Sequence, residues 1–539
     1  MGALRKDHFQ RAAADIGAHG DNDTLPFDVD NKFIKERSTE LAQIAYNLGA
    51  EIAKGSRKSA RNMIDSATIF SERLLSPSGP GGFRIVTKIH PFWTIYYNGL
   101  GIAVAETLEP FRSDRVHSYR FNSTGVELFD RRSSWKAYKL ETLERLDTSH
   151  GFVVQTDVSS FYDHIYHHRL ENCLSDLFPS DETIPVQVDR ILNRIATGRS
   201  FGLPVGAQGS RIFAEALLSM VDSQLDDTGI DWSRYVDDFV LIAPTAAASY
   251  RALAILSNAL ADYGLALNRA KTTIMSARHY AEYVRAQLGM DDLEGQRLHE
   301  IDLQFDPYSD DPQSDFEELQ EIVNGLDISK LINLELAKSH PDTFLVSQIS
   351  RTLRLHTPEA AHDLCKILLS KKTLHGFRAS WSKIMRGITA VRADESFESV
   401  HSKLDELIDA IPSHSPHLLL ADSSILHYLR AIRFSRSSTR SSYVRKLFDE
   451  SKPLTLKRAC IDCWRHWKDR PSFTRLRSQW NQMSPEEQRM LWLAASDFGD
   501  EGEKFKSQVK RSIETSWKIG TERTRKPTFA AEFIKWSSR

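Results

Sequence analysis

The sequence is short of cysteine, of net charge and of long apolar runs. Four cysteines, Cys173, Cys365, Cys460 and Cys463, are too few and too scattered among 539 residues to form a disulfide framework. A reducing compartment is the expectation. Lys and Arg number 70 against 72 Asp and Glu, a net charge of −2, so total charge gives no case for nucleic-acid binding and any basic surface has to be local. No stretch approaches the ~20 consecutive apolar residues that cross a bilayer. The opening Met1-Gly2-Ala3-Leu4-Arg5-Lys6 leads into polar residues rather than the apolar core of a signal peptide. A soluble cytoplasmic protein with no membrane partner is expected.

Hydrophobic residues make up 41% of the chain and charged residues 26%, an ordinary globular balance. The length exceeds what one core usually organises, which predicts several domains. Over 1–82 we expect an N-terminal helical lead-in, because Leu41, Ile44, Ala45, Leu48 and Ile52 recur at helical spacing within Phe33 to Leu75. It breaks at Pro77-Ser78-Gly79-Pro80-Gly81-Gly82. Over 83–290 short β-prone runs alternate with helical ones, a mixed α+β domain. An acidic stretch over 291–325, with Asp291-Asp292, Asp306-Pro307 and Asp310-Asp311-Pro312, reads as a linker. Beyond it, 326–539 reads as all-α, either a stacked helix-pair (HEAT-like) solenoid or a generic bundle. Helix starts stand at Thr357-Pro358-Glu359 and at Ser484-Pro485-Glu486-Glu487, the latter with capping-box spacing.

The chemistry concentrates in two β-prone runs interrupted by acids. In Arg234-Tyr235-Val236-Asp237-Asp238-Phe239-Val240-Leu241-Ile242 adjacent carboxylates break an apolar stretch, and a hairpin turn there would aim both at one site. A bare Asp-Asp turn often does no more than satisfy local backbone donors. The second run, Phe152-Val153-Val154-Gln155-Thr156-Asp157-Val158-Ser159-Ser160-Phe161-Tyr162, ends in an acid and an aromatic pair. Together the two suit a two-metal site. Phosphoryl transfer needs hard divalent cations, which take carboxylate and carbonyl oxygens, here from Asp157, Asp237, Asp238 and the Val158 backbone.

These runs, with Gly202-Leu203-Pro204-Val205-Gly206 and Leu267-Asn268-Arg269-Ala270-Lys271-Thr272 in the same order, resemble the reverse-transcriptase family, specifically its prokaryotic abortive-infection and related anti-phage defence members. The resemblance implies a fingers-palm domain followed by an all-α C-terminal domain. It implies Asp157, Asp237 and Asp238 as catalytic metal ligands for Mg²⁺ or Mn²⁺, with dNTPs as substrates. It makes Tyr162, beside Phe161, the aromatic that screens against a 2′-hydroxyl, and places Lys271 near the departing pyrophosphate; a solvated surface lysine is the alternative. Arg84-Ile85-Val86-Thr87-Lys88 and Ser118-Tyr119-Arg120-Phe121 resemble fingers segments, so Arg84, Lys88 and Arg120 become candidate phosphate contacts, with ordinary salt bridges as the alternative.

One departure matters. In most of the family a glutamine follows the proline and touches the incoming nucleotide, whereas Val205, followed by Gly206, has no side-chain donor, and Gln208 stands three residues later. With Ser210-Arg211 and Ala214-Glu215, this looks like the abortive-infection branch. The resemblance then implies single-stranded DNA synthesis without a template, primed from and covalently attached to a protein hydroxyl, in a homo-oligomer. An RNA-templated enzyme working with a non-coding RNA, and a helical scaffold with a relic palm, are the competing readings. Among 15 tyrosines, Tyr46, Tyr96 and Tyr97 precede the palm, and none is singled out as the primer.

Two further features carry less. Cys460-Ile461-Asp462-Cys463 has half of a zinc spacing but no second pair, so packed structural cysteines are expected. The basic stretch with Lys510, Arg511, Trp517 and Lys518 reads either as a backbone-binding, base-stacking surface or as a solvated helix.

Overall fold

A computed structural model describes residues 4–26, 28–79, 81–124, 127–130, 135–288, 298, 319–338, 341–519 and 527–538. The predicted apolar face materialises in α3 (Ser38–Ile52), where Leu41, Ile44, Ala45, Leu48 and Ile52 are all buried. It packs on α1 (Lys6–His19) and α2 (Val29–Glu36). The helical lead-in does not run to Leu75. After α4 (Arg57–Asp65) the chain becomes β1 (Ser71–Ser78), paired antiparallel with β2 (Gly82–Ile89). Burial at Leu74 and Ser76 alone alternates with period two, the spacing of a strand. The predicted break falls where this hairpin turns, with Pro77 and Ser78 still in β1 and Gly82 opening β2.

Helix α5 (Pro91–Leu108) is buried almost all round, as its apolar sequence requires. It crosses α7 (Gln208–Asp226) so closely that a Cβ on Gly101 would stand 2.8 Å from the Gly209 Cα, and glycine at both positions permits the approach. Four antiparallel strands form the second sheet in the order β4-β5-β3-β6: β3 (Phe152–Asp157), β4 (Asp231–Tyr235), β5 (Asp238–Ala243) and β6 (Thr273–Ser276). Helix α6 (Trp135–Glu144) packs against β4, and α8 (Ala246–Ala261) against β3 and β5.

The acidic stretch over 291–325 lies mostly outside the described residues. From Ile328 onward the described residues are helical, and the two predicted starts are real caps: Thr357 accepts from Ala360 N, and Ser484 with Glu487 closes a capping box. The C-terminal helices return to the first residues of the chain. Glu72 receives the backbone N–H groups of Leu454 and Thr455 at a helix N-terminus, Arg458 pairs with Asp30 at 2.7 Å, and Phe33 packs among Phe529, Phe533 and Trp536. One contiguous set of buried apolar side chains therefore runs from Leu4 to Trp536. No helix among the described residues is long and apolar enough to cross a membrane.

Candidate active site

The β4–β5 hairpin turns on two residues, Val236 and Asp237, between the paired Tyr235 and Asp238. Tight two-residue turns demand positive φ, and Val236 supplies it at +58°, a costly conformation for a β-branched residue. A buried guanidinium holds it there. Arg234 Nη1 donates to the Val236 carbonyl at 2.8 Å, while the rest of the group is gripped by Asp222 (2.9 and 2.5 Å) and Glu215 (3.2 and 3.0 Å) on one face of α7. Arg112 closes the cluster on Glu215 at 2.6 Å. Nothing in the sequence announced this scaffold beyond an acid seven residues from another on a helix.

Register across β3 and β5 sets Asp157 opposite Asp238, so the three acids predicted from sequence come together. Val158 N donates to the Asp237 carbonyl, and Asn268 N to the Asp157 carbonyl, which ties both strand ends to the 266–272 segment. Burial, then Asp238 and Asp157, push the Asp237 carboxyl up to about 7, and burial raises Asp238 as well. Asp157 Oδ1 is buried without a hydrogen-bond partner, and its Oδ2 receives Lys271 Nζ at 2.5 Å. That contact raises the Lys271 ammonium. Among the described residues no three His, Cys, Asp or Glu side chains close into a finished cage. The donor set still fits a hard divalent cation: crowded carboxylate oxygens, one orphaned, with exposed Lys271 and buried Lys139 as the local counter-charges.

Beside the acids lies a cleft of about 300 Å³ lined by Arg84, Tyr119, Tyr162, Val205, Gly206 and Arg211 among others, with Asp237 and Asp238 at its wall. Val205 presents no donor, but Arg211, one turn into α7, does. Its guanidinium lies 5.1 Å from the Tyr119 ring centroid and donates to Gln208 Oε1 and Asp23 Oδ2, each at 2.9 Å. Gln208 thus orients Arg211 and does not itself line the cleft. Arg84 donates to Thr24 Oγ1 at 2.7 Å and faces Asp23. Despite burial, Arg211 and Arg84 hold the Asp23 carboxyl below its ordinary value. Asp23 and Arg211 were missed as site residues because one is 188 positions from the other in sequence.

Several sequence candidates lie elsewhere. Lys88 is turned away from the cleft and buried among Asp21, Asp28 and Asp30, at 2.5, 2.8 and 3.9 Å, because a β2 position facing the N-terminal segment needs its charge matched. Arg120 pairs with Glu109 at 2.6 Å and donates to the Ser113 carbonyl. Phe161 is core, its ring tilted against that of Tyr162. Trp517 is also core, donating to Gln488 Oε1 and packing edge-on to Trp492 and Phe533, so it offers no face to a base. Lys510, Arg511 and Lys518 are exposed around it. Cys460 and Cys463 are buried thiols on one helix, as expected of structural cysteines. Tyr96 and Tyr97 are sealed in the core on Gln187 and Ser210, while Tyr46 is half-buried.

The family described as Reverse transcriptase (RNA-dependent DNA polymerase) matches residues 86–302, the span that holds every element of the acid cluster. That span is therefore an enzyme domain of the nucleotidyltransferase, RNA-directed DNA polymerase-like kind. No curated protein matches the sequence. Among solved structures, a telomerase from Candida albicans in complex with a TWJ fragment of telomeric RNA is 12% identical at a TM-score of 0.30, covering 65% of this chain and 68% of that one. Apo telomerase from Candida tropicalis is 14% identical at 0.31, covering 67% and 68%. A likeness this slight bears on neither mechanism nor partners.

Proposed function

We propose that the chain is a DNA polymerase that transfers nucleotides from dNTPs without a template, onto a protein hydroxyl and then onto the growing strand, in anti-phage defence by abortive infection. The observation that carries untemplated synthesis is the replacement at the cleft: Val205 stands where a glutamine would contact the incoming nucleotide, and Arg211, clamped by Asp23 and Gln208, supplies the polar contact instead. A guanidinium recognises phosphate oxygens common to every nucleotide, so this contact grips without reading a base pair. The defence role, the protein primer and a homo-oligomer rest on the family resemblance. The C-terminal helices, where Trp381–Ala393, Asp422–Ile432, Leu454–His466 and Pro485–Ala495 pack successively, suit a stacked helix-pair solenoid.

In the reaction a hydroxyl oxygen bonds the α-phosphorus, the α–β bridging P–O bond breaks, pyrophosphate leaves and the hydroxyl proton passes to solvent. Mg²⁺ or Mn²⁺ held by Asp157, Asp237, Asp238 and the Val158 carbonyl would supply the charge neutralisation that lowers this barrier. The chain's own groups do the rest. Arg84 and Arg211 bind phosphate, Tyr162 packs against the sugar, and the hairpin held by Arg234 keeps the acids in place. Lys271, released from Asp157, is free to meet the leaving pyrophosphate.

Purified protein incubated with each labelled dNTP and Mg²⁺, without template or primer, tests this. Label that grows on the protein and vanishes with protease supports it, and Asp237→Asn should abolish that label. Labelling only with an added RNA template and primer would replace it with a templated enzyme, the reading that the name of the matched family favours. Phage defence that survives Asp237→Ala with Asp238→Ala would point to a scaffold.

A further inference from the structure

Between the tip of the β1–β2 hairpin and the helices Thr343–Thr352 and Trp381–Ala393 runs a groove of about 540 Å³. It shares Arg84 and Asp23 with the nucleotide cleft and so continues from it. Its lining carries Arg84, Arg351, Arg378 and Lys383, with Asp23 as its single carboxylate among the described residues. Asp23 is already engaged by Arg211 at 2.9 Å.

Apart from Arg84, which faces Asp23 at 4.0 Å, these cations find only neutral acceptors among the described residues. Arg351 donates to Gln348 Oε1 at 3.1 Å and Arg378 to the His375 carbonyl at 2.8 Å, and Lys383 makes no ion pair among the described residues. Behind Lys383, the half-buried Arg386 donates to the Asp23 and Leu25 carbonyls, and its Nε is buried without a partner. Burial, then Arg386, depress the Lys383 ammonium. Other arginines of the helical region are matched: Arg392 with Asp405, Arg433 with Asp462, Arg440 with Asp409. Half-buried Arg378 and Lys383, with exposed Arg351 beside them, make no ion pair among the described residues, and like charges gathered this way are costly unless a polyanion neutralises them.

We infer that this groove binds single-stranded nucleic acid, the strand that continues past the nucleotide cleft. Rows of phosphates answer the spaced cations, and serine hydroxyls at Ser347 and Ser382 add donors between them. A lone nucleotide would not need this length of groove beyond Arg84. The assignment of the strand as the polymerase's own rests on the proposed function; binding of a single strand in the groove does not.

Fluorescence anisotropy of the full chain with labelled dT and U 20-mers, across a salt series, tests it. The variant Arg351→Gln/Arg378→Gln/Lys383→Gln should bind at least tenfold more weakly, and its log–log salt slope should shrink by about 2, at ~0.7 per lost single-strand phosphate contact. Arg351→Gln alone, at an exposed position, should lower the slope by about 0.7 and guards against misfolding of the triple variant. Stronger loss for dT than for U assigns product DNA, and the reverse assigns template RNA. Unchanged affinity and slope in both variants, or full displacement of the oligonucleotide by equimolar inorganic triphosphate, overturns the inference. Asp237→Asn should bind the oligonucleotide like the parent, so an inactive enzyme with intact groove binding separates failure of the polymerase reading from failure of this one.

Discussion

Carboxylates at strand ends are legible in a sequence when the flanking residues commit to strands, as around Asp157 and Asp237. The chemistry then follows from residue type. Positive charges are harder to read, because the same lysine or arginine serves a phosphate or a buried partner: Arg84 reaches the cleft, while Lys88, four positions on, is consumed by Asp21 and Asp28. Arg211 was invisible as a cleft residue because its role depends on Asp23 and Tyr119, both distant in sequence. Its geometry makes a prediction. Lysine cannot keep both the stack on Tyr119 and the fork shared between Gln208 and Asp23. Arg211→Lys should raise KM for dNTP roughly tenfold, about 1.4 kcal/mol of lost binding, with kcat changed less than threefold in steady-state incorporation assays. A fall in kcat at constant KM would instead place Arg211 away from the bound phosphates.

Strands β3 and β5 were readable as short β-prone runs, and the acid turn followed from them. The β1 strand was not, because Leu74 alone supplies an apolar inward position and the preceding helical rhythm masks it. What the sequence hides most completely at this scale is the support behind a turn. The β4–β5 hairpin keeps a positive-φ valine only because Arg234 bonds its carbonyl from a fully buried cluster with Glu215, Asp222 and Arg112. Removing one member leaves a carboxylate buried without its partner. Arg234→Met should therefore cost ~3–5 kcal/mol in urea unfolding. Surviving folded protein should also lose incorporation, since the turn carrying Asp237 loses its anchor. Gly206 makes a gentler counterpart: at φ +104°, a Cβ there would meet the Asn22 amide at 2.1–2.5 Å, so Gly206→Ala should displace the N-terminal segment from the cleft rim and raise KM. Arg234→Met with unchanged unfolding free energy would show that the cluster is not what holds the hairpin.

Across the whole molecule the reading into separate domains misses how the chain closes on itself. Residues 21–26 sit between the β1–β2 hairpin with the cleft rim at Val205 and the C-terminal helices, and both sides hold them: Asn22 donates to the Thr87 and Val205 carbonyls, Arg386 to those of Asp23 and Leu25, and His427 to that of Thr24 at 2.9 Å. Sequence could not foresee this, since single hydrogen bonds between a segment and helices some 400 positions away leave no periodic trace. His427 gives the closure a pH dependence. It is fully buried, with Arg386, Arg430 and Lys383 as its charged neighbours, and burial followed by Arg386 lowers its pKa from 6.5 to about 3. The folded state therefore holds His427 neutral, while the unfolded chain takes up a proton below 6.5. Its contribution is intact above that pH and is lost as pH falls from 6.5 towards 3. At pH 5 the loss amounts to ~2 kcal/mol, at 1.36 kcal/mol per unit. His427→Gln keeps a donor for Thr24 but has no proton to gain. Urea unfolding at pH 7 and pH 5 should show the parent losing ~2 kcal/mol more than the variant between the two. Equal losses would mean that His427 is solvated enough to titrate in the folded protein, and that the seam between the N-terminal segment and the helices opens before the fold does.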